Sequence, residues 1–352
     1  MTLVSELTER ELVARLQERL APAPDWLLVG IGDDAAVVEP ERNRVEVLTV
    51  DAIVEGIHFD RAFTPPEAIG HRALAVNLSD LAAMGAAPRL ALLSLALPAS
   101  LPLADYDGIA AGLASLAATH RVHLVGGNLT RSPGPLIVDV TVVGTMKRGQ
   151  ALTRAGARSG DDIYVSGAVG SAAAGLALLK SRGADDARVE TSPLVDRYLR
   201  PHPRVRLGLM LARNRAASSC IDLSDGLADG LHRIADASGV GMTIDADALP
   251  IDPAARALFD ARGGDAAMAA VRGGDDYELL FTVRPRTRRR LIAAERHGGA
   301  PLTRIGACTE DRQVAIVRTV DGVATTTPLA GGYTHFRPVD QLRVVPSDAE
   351  GR

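Results

Sequence analysis

The sequence predicts a two-domain α/β protein, in the broad α+β sense, and three observations carry that prediction. Short apolar runs of strand length alternate with longer runs of helical period along the whole chain. At 352 residues the chain exceeds what a single core usually organises. The apolar fraction is 47%, mostly Ala and Leu with only 3% aromatic residues, so helices that meet through small side chains are expected.

Taken in order, Thr8, Glu9, Arg10 and Glu11 have the form of a capping box. The helix it opens places Leu12, Val13, Leu16 and Leu20 at helical spacing and stops in the proline-containing stretch 21–25. Residues 45–50 (VEVLTV) read as a strand that delivers Asp51 at its C-terminal end. Thr64-Pro65-Pro66 is expected to cap a long helix running to about Met84, with Gly85 as its stop. A buried strand at 90–97, a helix at 104–119 and a strand at 136–146 follow. The stretch 147–160, with Arg148, Arg154 and Arg158 among glycines, divides the chain into domains at 1–148 and 149–340, with a tail at 341–352. The second half opens with a strand at 161–167 and an Ala-rich helix at 171–180. Further helices are expected at 205–213 and from near Ser224, and strands at 242–246, 277–283, 302–308 and 313–317. The basic run RPRTRRR (284–290) reads as a solvated helix face.

Composition excludes several function classes. A formal charge of −4 and the scarcity of aromatic rings argue against nucleic-acid partners. Only Cys220 and Cys308 are present, without a C-x-x-C pair, which points to a reducing cytoplasm and away from zinc or redox work. Residues 1–20 carry charges at amphipathic spacing and do not read as a signal peptide, and no run of about 18 apolar residues suggests a membrane span.

Acidic residues beside Gly, Ser or Thr recur in GIGDDAAV (30–37), TVDAIVEGIHF (49–59), NLSDLAAMG (77–85), IDLSDGLAD (221–229) and GGDDYELLF (273–281). Carboxylates of this kind suit Mg²⁺, which keeps waters and shares its coordination with substrate phosphates, so phosphate chemistry is the leading expectation. Several of these acids also have plain structural readings. Asp33 and Asp34 fit a turn or cap, Asn77 and Asp80 could tie down a loop, and Ser224 and Asp225 suit an N-cap and first helical turn. His58 is a lone histidine, and Asp275, Asp276 and Glu278 are weak on their own. The glycine-rich segment 124–134 (LVGGNLTRSPG) could wrap phosphates with its amides but lacks the Lys-Ser/Thr ending of a P-loop.

Together, GIGDDAAV, TVDAIVEGIHF, AVNLSDLAAMGA, VGGNLTR, ALTRAGA, IDLSDGLADGL, GGDDYELLFTV and GGYTHF (331–336), in this order, resemble the thiamine-monophosphate kinase family of the aminoimidazole-ribonucleotide synthetase-like ATP-binding superfamily. The resemblance implies a homodimer whose N-terminal mixed sheets pair, a C-terminal αβ domain that completes the active site, and ATP-dependent phosphorylation of thiamine monophosphate. It makes Asp34, Thr49, Asp51, Asp80, Asp222 and Asp225 expected Mg²⁺ ligands. Gly127, Asn128, Arg154 and Ser224 become expected nucleotide contacts, and His58, Asp275 and Tyr333 expected substrate contacts. Asp225 and Arg154 are the expected catalytic pair. The chain departs from the family pattern in Asn128, where many members carry Asp, and in Asp275, where many carry Glu. Rival readings are an aminoimidazole ribonucleotide synthetase-like enzyme and a catalytically silent nucleotide-binding protein.

Overall fold

The computed structural model describes residues 2–181 and 192–331. After a short 3₁₀ turn at Val4–Glu6 comes helix α1 (Glu9–Gln17), where Thr8 accepts from the Glu11 amide and Glu11 Oε2 accepts from the Thr8 amide at 2.7 Å, the reciprocal capping the sequence predicts. A short hairpin of β1 (Leu27–Val29) and β2 (Val37–Val38) carries the GIGDDAAV turn between its strands.

Strands β3 (Val45–Val54), β4 (Ala87–Pro98), β5 (His123–Ser132) and β6 (Ile137–Met146) form a mixed four-stranded sheet in the order β3-β6-β4-β5. Helices α2 (Pro66–Met84) and α3 (Leu103–His120) cover one face. Strand alternation sends Thr49, Asp51 and Ile53 toward α2 and leaves Leu48 and Val50 on the opposite, open face at 67% and 60% exposure. Helix α2 buries residues on all sides, because α3 lies against one flank and the C-terminal half against another. These approaches require glycine: a Cβ on Gly112 of α3 would sit 1.9 Å from the Glu67 carbonyl oxygen, and one on Gly208 1.9 Å from that of Ala82.

Beyond residue 160 the chain builds a seven-stranded sheet from β7 (Asp162–Ser166), β8 (Ser219–Asp222), β9 (Gly241–Asp245), β10 (Leu279–Val283), β11 (Leu302–Thr309), β12 (Val314–Val320) and β13 (Val323–Pro328). Their spatial order is β13-β12-β9-β11-β7-β10-β8, antiparallel except where β9 meets β12. Helices α4 (Ser171–Lys180), α5 (Pro193–Leu199), α6 (Val205–Arg213), α7 (Leu227–Ser238), α8 (Pro253–Ala261), α9 (Ala266–Arg272) and α10 (Ile292–His297) complete this half. One apolar cluster runs from Leu74 and Leu78 of α2 to Leu207 and Leu211 of α6 and Phe281 of β10, so the halves share a core at α2.

Four local expectations are corrected. Strand β3 continues through Ala52, Ile53 and Val54, so Asp51 lies inside the strand and not at its end; β6 pairs with it along its whole length. The segment 124–134, expected to follow a strand and to wrap phosphates with its amides, is itself strand through residue 132, as β5 held parallel to β4. Helix α2 has Pro65 at its N-cap without a side-chain cap, and Thr64 caps nothing. Helix α7 starts at Leu227 with Gly226 (φ 95°) as N-cap, which leaves Ser224 and Asp225 in the turn before it.

Candidate active site

A cavity of about 710 Å³ opens between the two halves. Asp51 from β3, Asp80 and Arg72 from α2, His58 from the turn after β3, and Asp222, Ser224, Asp225 and Asp275 from the C-terminal half all line it. Thr49 Oγ1 donates to Asp80 Oδ2 at 2.5 Å, joining strand to helix below the cavity. Ser79, the neighbour of Asp80, donates through Oγ to Asp222 Oδ2 at 2.7 Å and so ties α2 to the end of β8.

Electrostatics mark these acids as unusual. Burial, followed by repulsion from Asp80 and Asp139, pushes Asp51 up to about 7. Burial and then Asp80 push Asp222 up to about 7 as well, and burial raises Asp80, with Thr49 and Arg154 opposing. Carboxylates that repel one another in a half-desolvated cleft form a negative field open to cations. The donor set therefore fits hard divalent ions. Among the described residues no three acid or imidazole side chains close on one point as a finished ion cage. Mg²⁺ tolerates that arrangement, because it commonly takes one or two carboxylates and completes its shell with water and phosphate oxygens.

At the other end, His58 Nδ1 accepts from the Val54 amide at 3.1 Å, and Tyr198 and Phe63 add aromatic wall. Asp275 sits at φ +67° in the Gly274–Tyr277 turn, with its amide donating to the Ser224 carbonyl at 2.7 Å. The turn thus fastens the IDLSDGLAD and GGDDYELLF segments together.

The remaining expected residues fall elsewhere. Asp34, Gly127 and Asn128 line a second cavity of about 590 Å³ on the open sheet face, together with Asp33, Ser94 and Asp139. Registers place Asn128 and Asp139 on either side of Ser94, in one row across β5, β4 and β6. Gly127 has a structural reason to be glycine, since a Cβ there would lie 1.9 Å from the Leu93 carbonyl oxygen. Arg154 lines neither cavity, although its charge reaches Asp80. Tyr333 lies outside the described residues.

Two acids near the site are structural. Asp276 accepts from the Gly170 and Ala172 amides at 2.6 and 3.0 Å, capping the start of α4. Glu278 is fully buried and receives Arg197, Arg204 and Ser166. Sequence reasoning passed over Arg72, Asp139, Lys180 and Arg272, all of which line a cavity. Arg72 and Asp139 carried the signal that singled out Asp80, a charge inside an apolar run.

Residues 32–146 match the AIR synthase related protein N-terminal domain, and residues 158–318 match the C-terminal domain of the same group. Fold and cleft together therefore define an AIR synthase-related protein. Thiamine-monophosphate kinase of Salmonella typhimurium is 39% identical over 329 residues, covering 93% of this chain and 98% of the relative. The crystal structure of thiamine-monophosphate kinase from Stenotrophomonas maltophilia K279a shares 42% identity over 91% of this chain and 98% of that one, with a TM-score of 0.78. A structure of AaThiL complexed with AMPPCP and TMP has 31% identity over 96% of this chain and 99% of that one, with a TM-score of 0.72. The chain belongs to the thiamine-monophosphate kinase family.

Proposed function

We propose that this protein transfers the γ-phosphoryl group of ATP to thiamine monophosphate, giving thiamine diphosphate and ADP, in the cleft between its halves. The observation that carries the reading is the convergence of Asp51, Asp80, Asp222 and Asp225 on a cavity that His58 and Asp275 also line. Similarity to AaThiL complexed with AMPPCP and TMP supports the choice of ligands.

The chemistry asks little of the side chains. A phosphate monoester with a second pKa of about 6 is mostly a dianion at neutral pH, so its oxygen attacks without a general base. What opposes the reaction is repulsion between two anions. When bound, Mg²⁺ would supply the neutralising charge at the transferring phosphoryl group. Asp51, Asp80, Asp222 and Asp225, with Thr49 supporting Asp80, would hold it, while Ser224 contacts the nucleotide and Arg154 adds positive potential. His58 and Asp275, with Tyr333, would hold the thiamine end. Transfer is direct and in line, without a phosphoenzyme.

Asp34, Gly127 and Asn128 enter this scheme from the open face of the N-terminal sheet, where Leu48, Val50 and Leu92 are exposed. A second copy of the chain would cover that face, making a homodimer of N-terminal domains at 1–148 with C-terminal domains at 149–340. No described helix is long and apolar enough to cross a membrane. The assignment carries with it a cytoplasmic enzyme without nucleic-acid or membrane partners.

The test is Mg²⁺-dependent formation of thiamine diphosphate from ATP and thiamine monophosphate, with thiamine and formylglycinamidine ribonucleotide as competing acceptors. Preference for either competitor would overturn the reading. So would a phosphoryl-protein that forms and decays at the rate of turnover.

A further inference from the structure

Helix α2 carries a buried guanidinium in an otherwise largely apolar stretch. Arg72 is 2% exposed, between Gly70 and Leu74 on a helix packed from both sides. A charge so placed costs several kcal/mol unless it is paired and hydrogen-bonded. Its partners all come from the C-terminal half. Nη1 donates to the Tyr198 carbonyl at 2.7 Å, and Nη2 forms an ion pair with Asp275 Oδ1. The guanidinium carbon lies 4.7 Å from the Tyr198 ring centre and 5.8 Å from that of Tyr277. Nε has no hydrogen-bond partner among the described residues, so the plane is fixed by the two aromatic faces and the two Nη contacts.

The other end of the pair is equally constrained. Asp275 stands at φ +67° and Tyr277 at φ +50°, a region that Asp and Asn enter more readily than longer side chains. Tyr277 Oη donates to the same Asp275 Oδ1 at 3.3 Å. Both contacts fall on Oδ1, while Oδ2 accepts nothing among the described residues. Asp275 is about one-third exposed and lines the cavity beside Arg72.

We propose that Arg72 is the positioning residue of the acceptor pocket: it holds one oxygen of Asp275 from the N-terminal half and leaves the other for a cationic or N–H-donating group of the acceptor. The inference deepens the proposed function and rests on its assignment of this cavity to the acceptor. It also accounts for the side chain at 275. Aspartate tolerates the turn, and the long reach of arginine closes the distance that a short carboxylate leaves. A lysine at 72 would keep the charge but lose the planar fork that contacts Tyr198 and Asp275 together.

The experiment measures kcat and both KM values for Arg72→Lys, Asp275→Asn, Asp275→Glu and the double variant Arg72→Lys/Asp275→Glu, with melting temperatures to establish folding. Arg72→Lys is expected to raise the acceptor KM about tenfold, the loss of one charge-assisted hydrogen bond, with the ATP KM unchanged. The double variant should recover part of that loss, because glutamate extends toward the shorter-reaching ammonium while straining the turn that aspartate tolerates. A normal acceptor KM in folded Arg72→Lys, with a raised one in Asp275→Asn, overturns the positioning role and leaves the acceptor pocket standing. A normal acceptor KM in Asp275→Asn overturns both. Equal rises in the two KM values for Arg72→Lys would show a general structural role and likewise overturn the proposal.

Discussion

Two groups of buried acids lie within one fold, and they are treated in opposite ways. Glu278, just before β10, receives two arginines and a serine: Arg197 at 2.5 Å, Arg204 Nε at 2.6 Å and Ser166 at 2.5 Å. Asp51, Asp80 and Asp222 instead face one another, with hydroxyl donors from Thr49 to Asp80 and from Ser79 to Asp222 and no arginine hydrogen-bonded to them among the described residues. The first group is neutralised by the protein itself and serves the scaffold. The second is left with a surplus of negative charge that a bound cation can offset. Partner satisfaction, and not acidity or burial, separates scaffold from site here.

The sharpest way to break this comparison is to remove one acid from each group. Glu278→Ala strands two guanidinium groups at the edge of the core and is expected to cost about 3–5 kcal/mol of folding stability, read by chemical denaturation. A loss below about 1 kcal/mol would place Glu278 outside the scaffold. Asp51→Asn should do the reverse. It removes repulsion, so the melting temperature holds or rises, while kcat falls about 10²–10³-fold for loss of one preorganised electrostatic contact. An Asp51→Asn enzyme with wild-type kcat would remove the strand acid from the ligand set.

The sequence disclosed the parts better than their neighbours. The capping box at Thr8, the stop at Gly85 and the strand cores were legible because each depends on residues within a few positions. Asp80 stood out as a charge in an apolar helix, and Asp222 with Asp225 as acids at a strand end. The same helical grammar could not tell that Arg72 meets Asp275, 203 residues away, since that contact depends on how the two halves pack. Nor could it separate Asp34 from Asp51. Both sit in Gly/Thr-rich acidic motifs, yet one faces the open side of the N-terminal sheet and the other faces α2. Strand alternation turns Asp51 toward α2, whereas Asp34 lies in the turn between β1 and β2 and reaches the open face only through the packing of that hairpin, which no local pattern records. The same uncertainty hid Asp139, whose Oδ1 is buried without a partner among the described residues.

The gentlest probe of the comparison is pH. In the folded protein Asp51 and Asp222 are raised to about 7, against roughly 3.9 for an aspartate in the unfolded chain. Between those values the folded state binds more protons than the unfolded state, so stability falls as pH rises through the window. The sign is opposite to that of a salt-bridged carboxylate, which gains stability as it ionises. Metal-free protein should therefore lose melting temperature from pH 5 to 7.5 more steeply than Asp51→Asn does, and Mg²⁺ at pH 7.5 should restore more of it in the wild type than in the variant. Parallel slopes for wild type and Asp51→Asn, with no differential rescue by Mg²⁺, would mean that the cleft acids are neutralised within the protein after all, and the contrast between the two groups would disappear.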